Sequence, residues 1–265
     1  MEDVLNTTTK MDKKKRGFFH KLTTLFLAGV FLFSAFKVGT IGKEYYDNRK
    51  ILGQVQKIFA ESKEIIDDPK SEIRSQFNSL LEINSDIVGW LEIEGTNINY
   101  PILHAEDNDY YLKRNYLKEE ARAGSIYLDY RNSIEEFSRN NVIYGHRMKD
   151  GSMFGQLKKF LDEDFFKNHS KILYDTLYES YELEVFAVYK TTTDFYYIQT
   201  DFTSNEEYGH FLNSLKDKSV YKSSSSVGIE DTIITLSTCD YGVDRDEGRL
   251  VVHAKLIDKD KRFAK

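Results

Sequence analysis

The chain has 265 residues, 40% of them hydrophobic and 14% aromatic, which suffices for one sizeable domain with accessory segments. Two prolines and a charged fraction of 30% argue against a collagen-like or disordered chain. The net charge of -6 gives no electrostatic basis for a nucleic-acid partner, and the only dense basic run, Lys13 to Arg16, stands directly before an apolar stretch.

That stretch, LTTLFLAGVFLFSAF from Leu22 to Phe36, continues past a snorkelling Lys37 to Ile41 and approaches the ~20 residues that cross a bilayer. Basic residues before it and the mixed segment KEYYDN after it predict a cytoplasmic tail over 1–17, a single signal anchor in the plasma membrane over 18–41 and an extracellular body. A cleaved signal peptide is the competing reading. Its apolar core spans only ~7–15 residues and ends at a small-x-small site, whereas no convincing Ala-x-Ala follows here. Over 42–84 the spacing predicts a stalk of two helices, one carrying Ile51, Val55, Ile58 and Phe59, the other Ile73, Phe77, Leu80 and Leu81, broken at Asp67-Asp68-Pro69. Their apolar stripe reads as core or docking surface.

From Asp86 the period becomes two. GWLEIEG, NINYPIL, GSIYLDY, NNVIYGH, KILYDTLY, YELEVFAVYKT, DTIITLSTC and RLVVHAKLI predict eight short strands and hence a barrel or sandwich over 85–258, followed by a charged tail over 259–265. In YELEVFAVYKT, strict alternation places Leu183, Val185, Ala187 and Tyr189 on one face. Two helices interrupt the strands. Ser152 is expected to cap the first, with Phe154, Leu157, Phe160 and Leu161 as its stripe. Ser204 to Glu207 forms a capping box ahead of Tyr208, Phe211, Leu212 and Leu215.

Cys239 is the only cysteine, so an exported chain carries one thiol with no internal partner, a candidate nucleophile. A cysteine nucleophile needs a base and a donor for the oxyanion that forms when a carbonyl is attacked. Of six histidines, His20, His104, His169, His210 and His253 read as ordinary surface or packed residues. His146 instead ends the strand NNVIYGH where it meets a polar loop. Arg249 begins the strand after YGVDRDEG and would face Cys239 across a hairpin mouth.

TLSTC, the arginine ten residues after its cysteine, and YGH about ninety residues upstream resemble the sortase family of Gram-positive transpeptidases. NNVIYGHRM, GSIYLDYRN, YKTTTDFYYIQTDF and TLSTCD are similar to class B, over about Asn84 to Ile257. The resemblance implies a mainly β fold: a closed eight-stranded sortase barrel with N-terminal helices, two inserted helices and a preceding transmembrane helix. It also implies cleavage of a C-terminal sorting signal of the N-P-x-T-x kind on secreted proteins, after threonine, through a Cys239 thioester. An amine of peptidoglycan or a lipid-linked precursor then takes the acyl group, with no cofactor or metal. His146 matches the general acid/base and Arg249 the residue that binds substrate backbone and oxyanion. Tyr144, Ser237, Thr193, Tyr197 and Ile198 match the substrate groove.

Tyr144 and Ser237 also lie two residues before His146 and Cys239, on the same side of their strands. Asp240, adjacent to a cysteine that must face the site, should point away, which disfavours it as a third triad member. Asp244, Asp246 and Glu247 lack calcium-loop spacing and read as a solvated loop. Other exported cysteine enzymes of the cell wall are disfavoured because Cys239 follows His146 by 93 residues and ends a strand. A membrane-anchored binding module with an incidental thiol is the non-enzymatic alternative, and it predicts that Cys239 is dispensable.

Overall fold

The computed structural model describes residues 2–63, 72–169 and 171–257, with side chains from Phe18 onward. The break at Asp67 to Pro69 and the tail 259–265 lie outside the described residues, and the basic run Lys13 to Arg16 lies outside the described side chains. Two compact units divide the chain, Met1–Asp47 and Asn48–Lys265. The first is helical, part of α1 (Glu2–Ser62). Within Phe18–Ser62 lies a window of mean hydropathy 1.8, none of it buried, long and apolar enough to cross a membrane and equally of the kind found in signal sequences.

In the second unit eight strands close into a barrel, at the positions that the period-two runs mark. They are β1 (Ile87–Ile93), β2 (Asn99–Leu103), β3 (Ile126–Leu128), β4 (Asn140–Tyr144), β5 (Lys171–Thr176), β6 (Ser180–Thr191), β7 (Ile233–Cys239) and β8 (Arg249–Ile257). Their order around the barrel is β1-β2-β3-β4-β7-β8-β6-β5. The β2–β3 and β4–β7 pairs are parallel and the rest antiparallel. Closure gives every strand a neighbour on both sides. With α1 included, helices are a large share of the chain, so mainly β describes the barrel better than the whole.

The barrel interior is filled from alternate positions by Leu91, Ile93, Ile102, Ile143, Leu183, Val185, Val188, Ile234, Leu236, Leu250, Val252 and Ala254. Strict alternation is broken in β1, where the register shifts between Ile87 and Gly89, and in β6. Val185 pairs with Ala254 and Ala187 with His253, so Phe186 is an extra residue, a β-bulge. Beyond it the faces exchange: Leu183 and Val185 point inward with Val188, while Phe186, Ala187 and Tyr189 join an outer layer with Tyr197, Tyr208, Phe211, Leu212 and Leu215. The expected common face for Leu183 through Tyr189 is thus corrected.

That outer layer lies between the barrel and α4 (Asn205–Lys218). Ser204 caps α4 by accepting from the Glu207 amide, and Glu207 reaches back to the Thr203 amide. The first inserted helix differs from expectation. It is a 3-10 helix, Phe154–Leu161, followed by α3 (Glu163–Asn168), and Ser152 donates its hydroxyl to Asp150 instead of capping. Met153, at φ 52, occupies the position before it. The stalk stripe is a docking surface: Val55 and Phe59 of α1, with Phe77 and Leu80, pack on Ile87, Trp90, Leu103 and Tyr111 of the barrel unit. Phe59 stacks on Trp90 at 4.0 Å. Leu80 belongs to α2 (Asn78–Ile83), a helix shorter than the one its spacing predicts.

Candidate active site

β7 ends in Cys239 and β8 begins with Arg249, and the two are direct cross-strand partners. Since Ile234, Leu236, Leu250 and Val252 fill the interior, the alternating residues Thr235, Ser237 and Cys239, with Arg249, Val251 and His253 opposite, share the outer face. The connecting loop is closed by the Asp240 amide donating to the Gly248 carbonyl at 2.8 Å. Gly248 must be glycine, because a Cβ there would overlap the Asp240 carbonyl oxygen and lie 2.6 Å from that of Asp244.

His146 arrives by way of the parallel neighbour. In the β4–β7 ladder Tyr144 lies opposite Ser237, and the Gly145 amide donates to the Ser237 carbonyl at 3.2 Å. His146 therefore leaves β4 beside the end of β7 that carries Cys239. Its carbonyl accepts from the Phe154 amide at 3.0 Å, which fixes the backbone on the far side. Three strands adjacent in the barrel, the consecutive β7 and β8 and the sequence-distant β4, thus deliver a thiol, a guanidinium and an imidazole to one end.

Cys239, His146 and Arg249 are each half-buried. Burial lowers the affinity of His146 for a proton, with the Leu112 carbonyl acting weakly in the other direction. That carbonyl lies 2.8 Å from Nε2 and can only accept, so Nε2 carries the hydrogen and the lone pair of the neutral ring resides on Nδ1. Among the described residues no hydrogen bond joins the thiol to the imidazole. Arg249 donates to the carbonyls of Asp246 at 3.1 Å and Gly248 at 3.0 Å through one nitrogen, Nη1. Burial raises the pKa of the Tyr127 and Tyr197 hydroxyls, and Arg249 lies close enough to both to oppose that rise.

Residues 91–257 match the sortase domain family. The chain belongs to the sortase family. Its relatives are of class B. It is 46% identical to sortase B of Listeria monocytogenes over 246 residues, 93% of this chain and all of the relative. Among solved structures it resembles sortase B from Bacillus anthracis in complex with AAEK1 (53% identity, TM-score 0.74, 82% of this chain and 99% of that one). It also resembles the Staphylococcus aureus sortase B–substrate complex (38% identity, TM-score 0.74, 82% and 99%). The chain is accordingly a sortase cysteine transpeptidase of the cell wall.

Around this sortase barrel the structure brings together four of the five residues expected in the groove. The Tyr197 hydroxyl and Ser237 Oγ share a 2.8 Å hydrogen bond, two residues from Cys239. Tyr144 packs on Tyr127, and its hydroxyl donates to Asp129 at 2.8 Å. The Ile198 carbonyl accepts from Arg131 at 3.0 Å. Thr193 is exposed in the loop after β6, and no described contact ties it to the cysteine.

Asp240 is fully buried and bound elsewhere. Its carboxylate meets Arg147 at 3.0 Å, Lys190 at 3.1 Å and the Gly242 amide at 2.9 Å. Burial opposes its ionisation, but these three donors outweigh burial and hold its carboxyl below the usual range. Among the described residues no hydrogen bond links it to His146. In the adjoining loop Asp244 accepts the amides of Asp246 and Glu247 at 2.8 Å.

Sequence reasoning missed two supports. The partner of His146 is the backbone of Leu112, and a main-chain carbonyl leaves no mark in residue type. The other support is Asp129, fully buried and held by Arg131 at 2.7 and 2.8 Å, by Tyr144 and by Asn108. Both Asp129 and Arg131 lie inside the segment GSIYLDYRN, where their i,i+2 spacing at a strand end was the available signal. Burial works against the Asp129 charge, and the Arg131 and Tyr144 donors outweigh it, so its carboxyl sits below the usual range.

Asp129→Ala would leave Arg131 and Tyr144 without this partner and is expected to cost about 3 kcal/mol at neutral pH. Because the folded-state pKa is depressed, this stability is fully present above the unfolded carboxyl value of about 4 and is lost as pH falls through the folded value. Thermal melts should show a wild-type to variant gap that is full at pH 7 and narrows below about pH 4. A gap constant with pH would contradict the charged reading.

Proposed function

We propose that Cys239 is the nucleophile, His146 the general acid/base and Arg249 the oxyanion donor of a two-stage acyl transfer, on an N-P-x-T-x-like sorting signal of secreted proteins. The observation that carries this is the pairing of Cys239 with Arg249 on one face, with His146 delivered from the adjacent strand.

In the first half, His146 Nδ1 takes the thiol proton as sulfur attacks the threonine carbonyl. The carbonyl electrons move onto oxygen, where Arg249 donates to the oxyanion. The tetrahedral species collapses, the C–N bond breaks, and the imidazolium returns the proton to the leaving amine. A thioester on Cys239 remains. In the second half the incoming amine of peptidoglycan or its lipid-linked precursor attacks the thioester, His146 accepts the amine's proton, and the thiolate leaves and is reprotonated. Burial keeps His146 toward its neutral form, which suits a base that starts uncharged.

Tyr144, Ser237, Tyr197 and Ile198 line the signal's groove, and Thr193 contributes from the loop above. The S. aureus relative, solved as a substrate complex, supports substrate binding by this fold. The domain plan is a tail over 1–17, an anchor over 18–41, helices over 42–84, a catalytic barrel over 85–258 and a charged end over 259–265. The apolar window within Phe18–Ser62 and the basic run before it support a single-pass anchor with the N-terminus inside.

The test uses the full chain in detergent with peptides of varied five-residue signals, followed by intact-protein mass spectrometry with and without an amine. A mass increment on Cys239 that the amine discharges into a new product is the expected result. A folded protein with a freely alkylated thiol and no increment on any peptide would overturn the assignment.

A further inference from the structure

His253, whose sequence context reads as that of an ordinary surface or packed histidine, does more than fill space. It is wholly buried, on the outer face of β8, and both ring nitrogens are engaged.

Donors and acceptors along this series of contacts can be assigned by elimination. Asn140 Nδ2 donates to the carbonyls of Tyr197 at 3.1 Å and Gln199 at 2.8 Å, so its other terminal atom is the acceptor Oδ1. Thr235 must therefore give its hydroxyl hydrogen to Asn140 Oδ1, at 2.6 Å. With that hydrogen committed, Thr235 Oγ1 accepts from His253 Nδ1 at 2.8 Å. His253 Nε2 then holds the lone pair and accepts from the Tyr189 hydroxyl at 2.7 Å. Burial, which pushes the His253 pKa down to about 3, keeps the ring neutral as this assignment requires.

The four side chains come from β6, β8, β7 and β4, consecutive around the barrel, and each is almost fully excluded from solvent. The hydrogen bonds all run one way and end on the segment 197–199, which belongs to no strand. All three carbonyls of that segment are held by side chains, those of Tyr197 and Gln199 by Asn140 and that of Ile198 by Arg131. The same segment places the Tyr197 hydroxyl on Ser237, two residues from Cys239.

We propose that Tyr189, His253, Thr235 and Asn140 form a buried positioning relay that fixes the Tyr197–Ile198 wall of the substrate groove. This rests on the reading of that wall as the groove proposed above. These are positioning residues: none touches the reacting atoms, and the relay acts through the placement of Tyr197 and Ile198.

Thr235→Val keeps the side-chain shape and removes the hydroxyl, leaving His253 Nδ1 and Asn140 Oδ1 unpaired. Two readouts on the full chain decide the matter. Amide hydrogen exchange over 195–200 is expected to quicken by about tenfold, and KM for a sorting-signal peptide to rise by about the same factor while kcat and the alkylation rate of Cys239 stay near wild type. Thr235→Ser, which restores the hydroxyl, should return both to wild type. Tyr189→Phe cuts the far end with little change of packing and should move both readouts in the same direction, by about threefold, should the valine variant fail to fold.

Unchanged exchange over 195–200 and unchanged KM in a folded variant would overturn the relay. So would exchange that quickens equally across the whole barrel, or a defect that serine does not rescue. If the wild-type protein transfers no peptide, the proposed function fails while the exchange measurement still decides the relay.

Discussion

Cys239→Ala is expected to lower amine-dependent peptide transfer by about 10⁴-fold or more, because it removes the chain's single thiol, the group proposed to carry the acyl intermediate. Removing one sulfur from a half-buried strand end deletes few contacts, so the variant should melt within about 1 kcal/mol of wild type. His146 and Arg249 remain in place, and peptide binding should survive. Transfer assays paired with thermal melts test this. Activity within tenfold of wild type in a folded variant would exclude covalent catalysis by Cys239 and favour a binding module.

Arg249→Ala is expected to cost about 10²- to 10³-fold, chiefly in kcat, since the charge it is proposed to stabilise develops in the transition state. The loop it borders does not depend on it for closure, because Asp240 and Gly248 pair through the backbone and Asp244 accepts two loop amides. The loss should therefore appear without a comparable fall in stability, and alkylation of Cys239 should persist. Lysine is a poor replacement: a single ammonium cannot reproduce the planar array of donors that serves the loop carbonyls and an oxyanion together. Steady-state kinetics of the alanine and lysine variants check this, and a kcat within threefold of wild type for Arg249→Ala would remove the oxyanion role.

The two tests separate chemistry from scaffold. Cys239 and Arg249 are cross-strand partners, so either substitution leaves the β7–β8 ladder that positions the other. The Asp129 ion pair and the proposed His253 relay act through the backbone and side chains behind the proposed groove, and their loss should be read in stability, exchange or KM.

Much of this protein was legible in its sequence. Period-two alternation marked all eight strands, because residues on a half-buried strand must alternate between core and surface. The thiol, imidazole and guanidinium stood out because each ends or begins such a strand, and the TLSTC and YGH segments carried the family resemblance. What alternation could not report was any event that breaks it or crosses it. The bulge at Phe186 shifts the faces of β6 because one residue is inserted opposite its partner, and pairing is a property of two strands. The order β4-β7-β8-β6 brings Asn140, Thr235, His253 and Tyr189 into one series of hydrogen bonds although Asn140 and His253 lie 113 residues apart in sequence. The Leu112 carbonyl at His146 comes from the main chain, which every residue type shares. The sequence alone determined which chemical groups were available and which strands carry them; tertiary structure decided which groups meet, because side-chain hydrogen bonds depend on register and strand order that no single segment contains.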